Sequence, residues 1–236
     1  MSTTNIQTLY DLAETSLASY AYLTQNERND IALAAGLQDK DIGANFTPDQ
    51  ATVFVAKYEL LSTQANIDYN GFSATVFQDK QTGVKVFALR GTEFTQTLGQ
   101  IATDFAVADA LGIGGTGYAN LQGLEMCRYW KRLNTIGGQA VSYNEAELVK
   151  HYALKLGPLA AAAVLALPPV TLLASAGYIA FANGLKSDVG IDSGVAGQAV
   201  IAPGEKVNVT GHSLGGHLAT AVDAFNQRRD PEQLLH

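Results

Sequence analysis

The chain has 236 residues, 15 Lys and Arg against 22 Asp and Glu, a formal net charge of -7 and 47% hydrophobic residues. Charged residues make up only 16%, against roughly 25% in an average globular chain, which excludes general disorder, and the acidic balance speaks against a nucleic-acid binder. The single cysteine, Cys127, excludes both an internal disulfide framework and a cysteine-based zinc site.

The N-terminal residues predict no cleaved targeting signal. Residues 1–5 contain neither a basic region nor a continuous apolar run, so we expect no secretory signal peptide, while export by another route stays open. The uncharged stretch at residues 159–183 is long enough to cross a bilayer. Pro168 and Pro169 interrupt its middle and much of it is alanine, which adds little membrane affinity, so a buried or amphiphilic helical hairpin is the preferred prediction.

Two amphipathic helices are predicted in the first 61 residues. Six apolar residues lie on one stripe of the first helix, which predicts that it packs through this face: Ile6, Leu9, Tyr10, Ala13, Leu17 and Tyr20. The second helix begins after Thr47, since Thr47 can cap it, Pro48 suits the first helical position and Gln50 can complete a capping box. Its apolar residues run from position 53 to position 61.

Two short runs rich in Val and Phe, residues 72–78 and 84–90, predict a β-hairpin, because residues 79–83 between them form a turn sequence that ends in glycine. The second run is apolar on both faces beyond Lys85, which is typical of a strand inside a covered sheet. Three further elements are predicted by the pattern: a helix at residues 119–133, a strand at residues 206–210 and a helix at residues 214–225.

The long excursion between residues 90 and 206 predicts an inserted subdomain. Its second half, residues 134–203, combines a glycine-rich beginning, the uncharged Ala, Leu and Val tract and an exit rich in Gly, Ser and Asp. We therefore expect residues 1–133 to hold the N-terminal helices and the first half of an α/β core. Residues 134–203 would form a helical apolar insertion, and residues 204–236 the last strand and helix.

The motif that carries chemistry is Gly211-His212-Ser213-Leu214-Gly215, a Gly-x-Ser-x-Gly pattern between a predicted strand and a predicted helix. A serine on so sharp a turn takes a strained backbone conformation, and side chains two residues to either side would collide, which glycine avoids. The turn also directs the first N–H groups of the following helix, with their dipole, at a reacting carbonyl. The motif predicts a nucleophile elbow, with an ordinary glycine-rich loop as the alternative.

A second segment supports this prediction. Residues 87–92 (Phe-Ala-Leu-Arg-Gly-Thr) place a glycine and a hydroxyl residue just past a buried strand, where an oxyanion hole needs a loop beside the elbow. The Arg-Gly-Thr end of this segment and residues 211–216 (Gly-His-Ser-Leu-Gly-Gly) together resemble the class 3 lipase family, the α/β-hydrolase lipases related to filamentous-fungal and type I-secreted bacterial enzymes. The likeness covers residues 45–133 and 200–226. It implies an α/β-hydrolase-like sheet with flanking helices.

The resemblance implies roles for individual residues. Ser213 is then the nucleophile, which attacks an ester carbonyl and forms an acyl-enzyme. The backbone N–H groups of Leu214 and Thr92, the latter together with its hydroxyl, hold the oxyanion, and losing one such donor costs roughly 3 to 4 kcal/mol of transition-state stabilisation. Asp104 matches an acidic position of the family, which we interpret as structural.

The catalytic triad is incomplete in this sequence. α/β-Hydrolases carry Ser, then Asp or Glu, then His, with further strands between them, whereas few residues follow Ser213 and they predict no further strand. The residues beyond the elbow helix's first turn that offer an acid or a base are Asp223, Asp230, Glu232 and the terminal His236. Because a sheet that ends here leaves a core strand at its edge, we expect the fold to be incomplete at the C-terminus and the chain to be an N-terminal portion of a longer lipase.

The histidines are not predicted to act as the base. His212 lies inside the elbow and His217 a helical turn beyond it, so neither reaches the serine hydroxyl easily. His212 is interpreted as a positioning residue and His217 as a helix residue. We expect His151 to be an exposed helix residue and His236 to lie in a frayed terminus.

No cofactor and no metal is predicted. Residues 112–117 match Gly-x-Gly-x-x-Gly, but they follow a predicted helix at residues 100–111 instead of a strand, which disfavours dinucleotide binding. The sequence contains no calcium-binding loop and no repeat rich in Gly and Asp.

The sequence therefore predicts a serine lipase that hydrolyses carboxylic esters of lipids, acylglycerols first, with a lipid ester and the lipid–water interface as partners and no nucleic acid. Phospholipase A1, a shorter-chain esterase and a non-catalytic lipid-binding module are the alternatives. We expect residues 135–200 to form a lid that opens at lipid interfaces, because a permanently exposed acyl-binding surface promotes aggregation. Contact with a membrane surface is predicted at residues 159–182.

Overall fold

The computed structural model describes residues 3–39, 44–64, 72–91, 120–142 and 196–227. In chain order the elements are α1 (Thr3–Ala18), α2 (Asp30–Gln38), α3 (Pro48–Lys57), β1 (Tyr58–Gln64), β2 (Ala74–Asp79), β3 (Lys85–Leu89), α4 (Asn120–Asn134), β4 (Val207–Gly211) and α5 (Leu214–Gln227). The chain divides into two compact units, Met1–Thr95 with Gly204–His236, and Gln96–Pro203. No helix in the described ranges has the length and apolarity needed to span a membrane, and the tract at residues 159–183 lies outside them.

A mixed four-stranded sheet with flanking helices gives the first unit an α/β arrangement. The strand order is β1-β2-β3-β4. β1 and β2 pair antiparallel, as do β2 and β3, whereas β3 and β4 run parallel. The long stretch of sequence between β3 and β4 suits this last pair, because a parallel pair needs a crossover connection. Helices α1 and α5 both pack on β3 and β4.

The predicted hairpin is confirmed as β2 and β3. The carboxylate of Asp79 closes its turn by accepting the backbone N–H groups of Gln81 and Thr82 at 2.9 and 2.7 Å. Gly83 takes a φ of 72°, which glycine adopts without strain. All four residues of β3 after Lys85 are buried. β3 is thus a covered inner strand, as its apolar sequence predicts.

Helix α3 begins as predicted but ends early. The Thr47 hydroxyl accepts the N–H of Gln50 at 3.2 Å, and the Gln50 side chain accepts the N–H of Thr47 at 2.9 Å, which completes the capping box. The prediction that the helical run continues to position 61 is wrong, because α3 ends at Lys57 and β1 begins at Tyr58. Buried and half-buried residues alternate at the start of β1, which is the period of a strand.

Helix α1 forms as predicted but packs through a different face. The predicted packing stripe is exposed: Ile6, Leu9 and Tyr10 are 58%, 63% and 58% accessible. The residues that are buried at the end of α1 and just after it are small: Thr15, Ser16, Ala18 and Ser19. The Thr15 hydroxyl donates to the carbonyl of Asp11 at 2.9 Å. The hydroxyls of Thr15 and Ser19 find backbone acceptors nearby, which lowers the cost of burying them, whereas the buried Ser16 hydroxyl has no partner among the described residues. The expected packing face is therefore corrected.

Helix α2 was not predicted from the sequence. Asn29 caps it, since its side chain accepts the N–H of Ala32 at 2.9 Å. Leu33 and Leu37, one turn apart, are both buried. The local sequence signal for α2 is limited to a capping residue and two apolar side chains. A helix of nine residues is too short to show a clear helical period, so the sequence pattern does not reveal it.

The core of the first unit has the aromatic ring of Phe54 at its centre. The Phe54 ring centroid lies 5.6 Å from that of Phe46, 4.9 Å from that of Tyr58 and 5.2 Å from that of Phe77, distances at which aromatic pairs attract. The buried cluster draws on α1, α2 and α3 and on three strands. It therefore fixes these helices on β1, β2 and β3.

In the second unit, α4 confirms the helix predicted at residues 119–133. The N–H groups of residues 198, 200 and 201 donate to the carbonyls of Arg132 and Leu133 at 2.9 to 3.0 Å, which satisfies acceptors that a helix end leaves open. Two isolated β-bridges join residues 137–140 to residues 196–197. The described segments before and after residues 143–195 thus run side by side, whereas most of the predicted insertion lies outside the described residues.

Candidate active site

Strand β4 and helix α5 meet in a sharp turn at the Gly-x-Ser-x-Gly motif, and the predicted strand and helix are both confirmed. β4 ends at Gly211 and α5 begins at Leu214, so His212 and Ser213 make the turn. Ser213 has a φ of 56°, in the left-handed region that costs a non-glycine residue roughly 1 to 2 kcal/mol. The residue is exposed. The structure thus presents a strained, accessible serine at a strand-to-helix junction.

Gly211 and Gly215 occupy positions where the turn leaves no room for a side chain. A Cβ on Gly211 would collide with the backbone of Gly215 and lie 2.8 Å from the nitrogen of Gly216. A Cβ on Gly215 would collide with the carbonyl oxygen of Leu89 and lie 2.9 Å from the carbonyl carbon of Arg90. Only glycine allows the start of α5 to approach the ends of β3 and β4 this closely. The groups that would collide are backbone atoms, not the serine side chain.

The segment that follows β3 runs beside the elbow. The register of the parallel pair sets the last residue of β3 opposite the last residue of β4, so both strands end at the same edge of the sheet. A Cβ on Gly91 would collide with the carbonyl oxygen of His212 and lie 3.3 Å from the Cβ of Ser213. Gly91 therefore packs against the turn that carries the serine, at the start of the predicted oxyanion loop.

The first turn of α5 presents backbone N–H groups at the elbow. The N–H groups of Gly215 and Gly216 donate to the carbonyls of His212 and Ser213 at 3.0 and 2.9 Å. In the part of the chain that the structure describes, no group accepts a hydrogen bond from the N–H of Leu214. This N–H lies at the positive end of the helix dipole and follows the serine directly, which is where a developing oxyanion is stabilised.

Tyr20, which follows α1, also contacts the elbow. Its hydroxyl lies 3.3 Å from Nδ1 of His212, and the two rings meet edge to face with their centroids 6.3 Å apart. The same hydroxyl lies 2.8 Å from the point that a Cβ on Gly91 would occupy. The hydroxyl of Thr210 donates to the carbonyl of Leu12 at 3.0 Å, which ties α1 to β4. The sequence placed Tyr20 only on the stripe of α1, since a contact across 192 positions leaves no local pattern.

Arg90 begins the loop after β3 and is buried, with 2% of its surface exposed. Its guanidinium carbon lies 4.3 Å from the centroid of the Tyr22 ring, a distance at which a cation and an aromatic face attract. Its backbone N–H donates to the carbonyl of Ser73 at 3.0 Å. These contacts hold the residue that precedes Gly91 in place.

Thr92, the second predicted oxyanion donor, and several residues that were weighed for other roles lie outside the described part of the chain. These are Thr92, Asp104, His151, Asp230, Glu232 and His236. His217 lies in the first turn of α5, where its N–H donates to the carbonyl of Ser213 at 3.3 Å. Among the described residues, the Ser213 hydroxyl has no hydrogen-bond partner, and no group of three or more His, Cys, Asp or Glu side chains is placed to hold a metal ion.

Comparison with known proteins identifies no relative of this chain. No family model matches the chain, and neither a curated protein nor a solved structure gives a match. The elbow and the loop beside it are therefore the basis for the proposed function.

Proposed function

We propose that this chain carries the nucleophile of a serine lipase, a hydrolase of carboxylic esters of lipids, with Ser213 as the attacking group. The observation that carries the proposal is the exposed serine with a φ of 56° between a parallel strand and a helix. A strained turn of this kind lifts a hydroxyl above the end of a sheet, where a substrate can reach it. The resemblance of residues 90–92 and 211–216 to the class 3 lipase family points to the same chemistry.

We also propose that the α/β arrangement of the first unit is that of an α/β-hydrolase. This assignment is supported by the parallel pairing of β3 with β4 and by the positions of the two candidate loops, both of which follow the carboxyl ends of these strands. In open α/β sheets, ligands bind at that edge. The packing of Gly91 against the elbow brings the predicted oxyanion segment to the serine.

In the proposed mechanism, Oγ of Ser213 attacks the ester carbonyl carbon, and its proton passes to a histidine base of the kind that such enzymes use. The carbonyl π electrons move to the oxygen, and the N–H groups of Leu214 and Thr92 donate to the resulting oxyanion. Collapse of this intermediate expels the alcohol with the proton and leaves an acyl-serine. Water then attacks the acyl-serine in the same way and releases the carboxylic acid.

A lipid ester is the proposed substrate class because of the sequence between the two loops. Residues 159–183 form an uncharged tract rich in Ala, Leu and Val, and long acyl chains need an apolar surface of this kind. A small polar ester has no use for it. Acylglycerols are therefore proposed ahead of short-chain esters, with phospholipids as substrates of the same machinery.

The nucleophile is tested by covalent labelling of the full chain with an alkylphosphonate ester, read out by intact mass. One phosphonyl group per chain in the wild type and none in Ser213→Ala would support the proposal, because only a serine beside an oxyanion hole reacts with this probe. Such labelling would also show that a base lies within these residues, contrary to the expectation of an incomplete triad. Ser142→Ala, at an exposed serine outside the elbow, is the matched control and should label fully. An unlabelled wild-type chain whose binding to liposomes survives Ser213→Ala would overturn the proposal and favour the non-catalytic lipid-binding module.

A further inference from the structure

The hydroxyl of Tyr20 touches both halves of the proposed site. It lies 3.3 Å from Nδ1 of His212, in the elbow. It also lies 2.8 Å from the point that a Cβ on Gly91 would occupy, and the Cβ of Ser213 lies 3.3 Å from that same point. Tyr20 therefore meets the elbow and the start of the oxyanion segment at once, although it is 192 positions from His212 in the sequence.

Three features keep this hydroxyl in place. The backbone N–H of Tyr20 donates to the carbonyl of Leu17 at 3.1 Å, which extends the last turn of α1. The hydroxyl of Thr210, in β4, donates to the carbonyl of Leu12 in the same helix. The edge-to-face contact with the imidazole of His212 fixes the plane of the Tyr20 ring. The phenol is thus attached through α1 to the strand that leads into the elbow.

The elbow needs such a support, because its backbone is strained at Ser213 and strained conformations persist only where surrounding contacts hold them. Oxyanion stabilisation also depends on donors placed within about 0.5 Å of the productive geometry. One donor, the N–H of Leu214, follows the elbow directly. The segment with the other proposed donor begins at Gly91, which packs against both the Tyr20 hydroxyl and the elbow turn.

We propose that Tyr20 is a positioning residue of the active site: its hydroxyl binds the imidazole of His212 and sets the spacing between the elbow and the segment that starts at Gly91. This inference rests on the proposed function and adds to it a residue that acts through others. The phenol oxygen, not the ring, is the active group. Removing this oxygen impairs the reaction of Ser213 without unfolding the protein.

The test is Tyr20→Phe, which keeps the ring and removes the hydroxyl. We expect the rate of phosphonylation at Ser213, and kcat for a p-nitrophenyl acyl ester, to fall about tenfold or more, since small misplacements of reacting groups have effects of this size. KM and the urea midpoint of unfolding should stay at the wild-type values. Tyr10→Phe, at an exposed tyrosine of α1, is the matched control and should react at the wild-type rate.

A double-variant cycle with His212→Phe separates positioning from general packing. If the hydroxyl acts through His212, the variant with both substitutions reacts no more slowly than His212→Phe alone, because the two changes remove one shared contact. Independent, multiplicative losses would overturn the proposal, and so would a Tyr20→Phe chain that reacts at the wild-type rate.

A second measurement does not depend on hydrolysis. The ring ¹⁵N resonances of His212, assigned by their loss in His212→Phe, should shift in Tyr20→Phe and stay unchanged in Tyr10→Phe, because a hydrogen bond at Nδ1 sets the tautomer of an imidazole. In a wild-type protein that the probe does not label, the rate comparison gives no result, and these resonances alone then decide whether the Tyr20 hydroxyl binds His212. Failure of the proposed function and failure of this inference are thereby distinguished. Resonances that do not respond to the loss of the Tyr20 hydroxyl would overturn the inference.

Discussion

Gly215 shows how a single residue decides the geometry of the candidate site. It is the second residue of α5, and a Cβ there would collide with the carbonyl oxygen of Leu89 at the end of β3. At Gly216 the nearest atom to an added Cβ is the carbonyl oxygen of Gly211, at 3.2 Å, which a small shift relieves. The two glycines thus differ in function: the first allows a helix to approach a strand, and the second does not have to be glycine.

We predict different losses of stability for Gly215→Ala and Gly216→Ala. Gly215→Ala should lower the free energy of unfolding by about 2 kcal/mol or more, because strand and helix must separate to admit the methyl group. Gly216→Ala should be within about 0.5 kcal/mol of the wild type, since the better helix propensity of alanine offsets the tight contact. Urea unfolding followed by circular dichroism measures both. Equal losses in the two variants would contradict the assigned contact with β3.

Helix α1 illustrates how an element can have a strong apolar stripe and still pack through another face. Most of its large apolar side chains remain exposed, although Leu12 is partly buried against the core. Thr15 and Ala18, in contrast, are fully buried. Because α1 lies on β3 and β4 and its Leu12 carbonyl accepts a hydrogen bond from Thr210, small residues on the packed face allow a close approach. The large side chains of the core come instead from α2, α3 and the strands.

At the scale of elements we predict different outcomes for the same substitution in two helices. Leu9→Ala, in the exposed stripe of α1, should change the free energy of unfolding by less than about 0.5 kcal/mol. Leu33→Ala, in α2, should cost about 2 to 5 kcal/mol, because Leu33 is 1% exposed and its loss leaves a cavity. The measurement is again urea unfolding. A large loss in Leu9→Ala would show that the stripe is covered in solution.

The whole molecule is acidic, with a net charge of -7, and its carboxylates differ in how strongly their surroundings favour the charged form. Burial raises the pKa of Glu14, as does the neighbouring carboxylate of Asp11, and Lys57 lowers it less than these raise it. Lys57 itself lies 2.6 Å from Asp11. Burial also tends to raise the pKa of Asp79, but hydrogen bonds from Thr82 and Gln81 outweigh it and lower that pKa.

These two shifts predict opposite effects of pH on stability. The pKa of Glu14 is raised in the folded protein. Its contribution to the free energy of unfolding is therefore fully present below its ordinary pKa of 4.5 and is lost as the pH rises through the folded pKa. The contribution of Asp79 is present above its ordinary pKa of 3.8 and is lost as the pH falls through its lowered folded value.

We therefore expect Glu14→Gln to raise the urea midpoint at neutral pH and to leave it unchanged near about pH 3. Asp79→Asn should lower the midpoint at neutral pH, and this difference should fade towards about pH 2. Midpoints measured across this range at constant ionic strength test both. A Glu14→Gln chain that is less stable than the wild type at neutral pH would show that its carboxylate is held by a favourable contact.

What could be predicted from the sequence was local in origin. The capping box at Thr47, the turn after Asp79 and the inner position of β3 depend on neighbouring residues or on a run of one kind, so their patterns are visible in the chain. The boundary between α3 and β1 was predicted wrongly, because an apolar run such as residues 53–61 fits either period. The roles of Ser213, Leu214 and Thr92 stay predictions.

The position of the strand-turn-helix motif of the elbow follows from local sequence, because the two glycines and the serine set the backbone conformations that are open to that turn. Three features emerge only when the elements pack together: the buried face of α1, the contact of Gly91 with the elbow, and the contact of Tyr20 with His212. The reason is physical: these contacts join residues far apart in the chain, and their energies depend on how helices and strands pack, which no local period encodes.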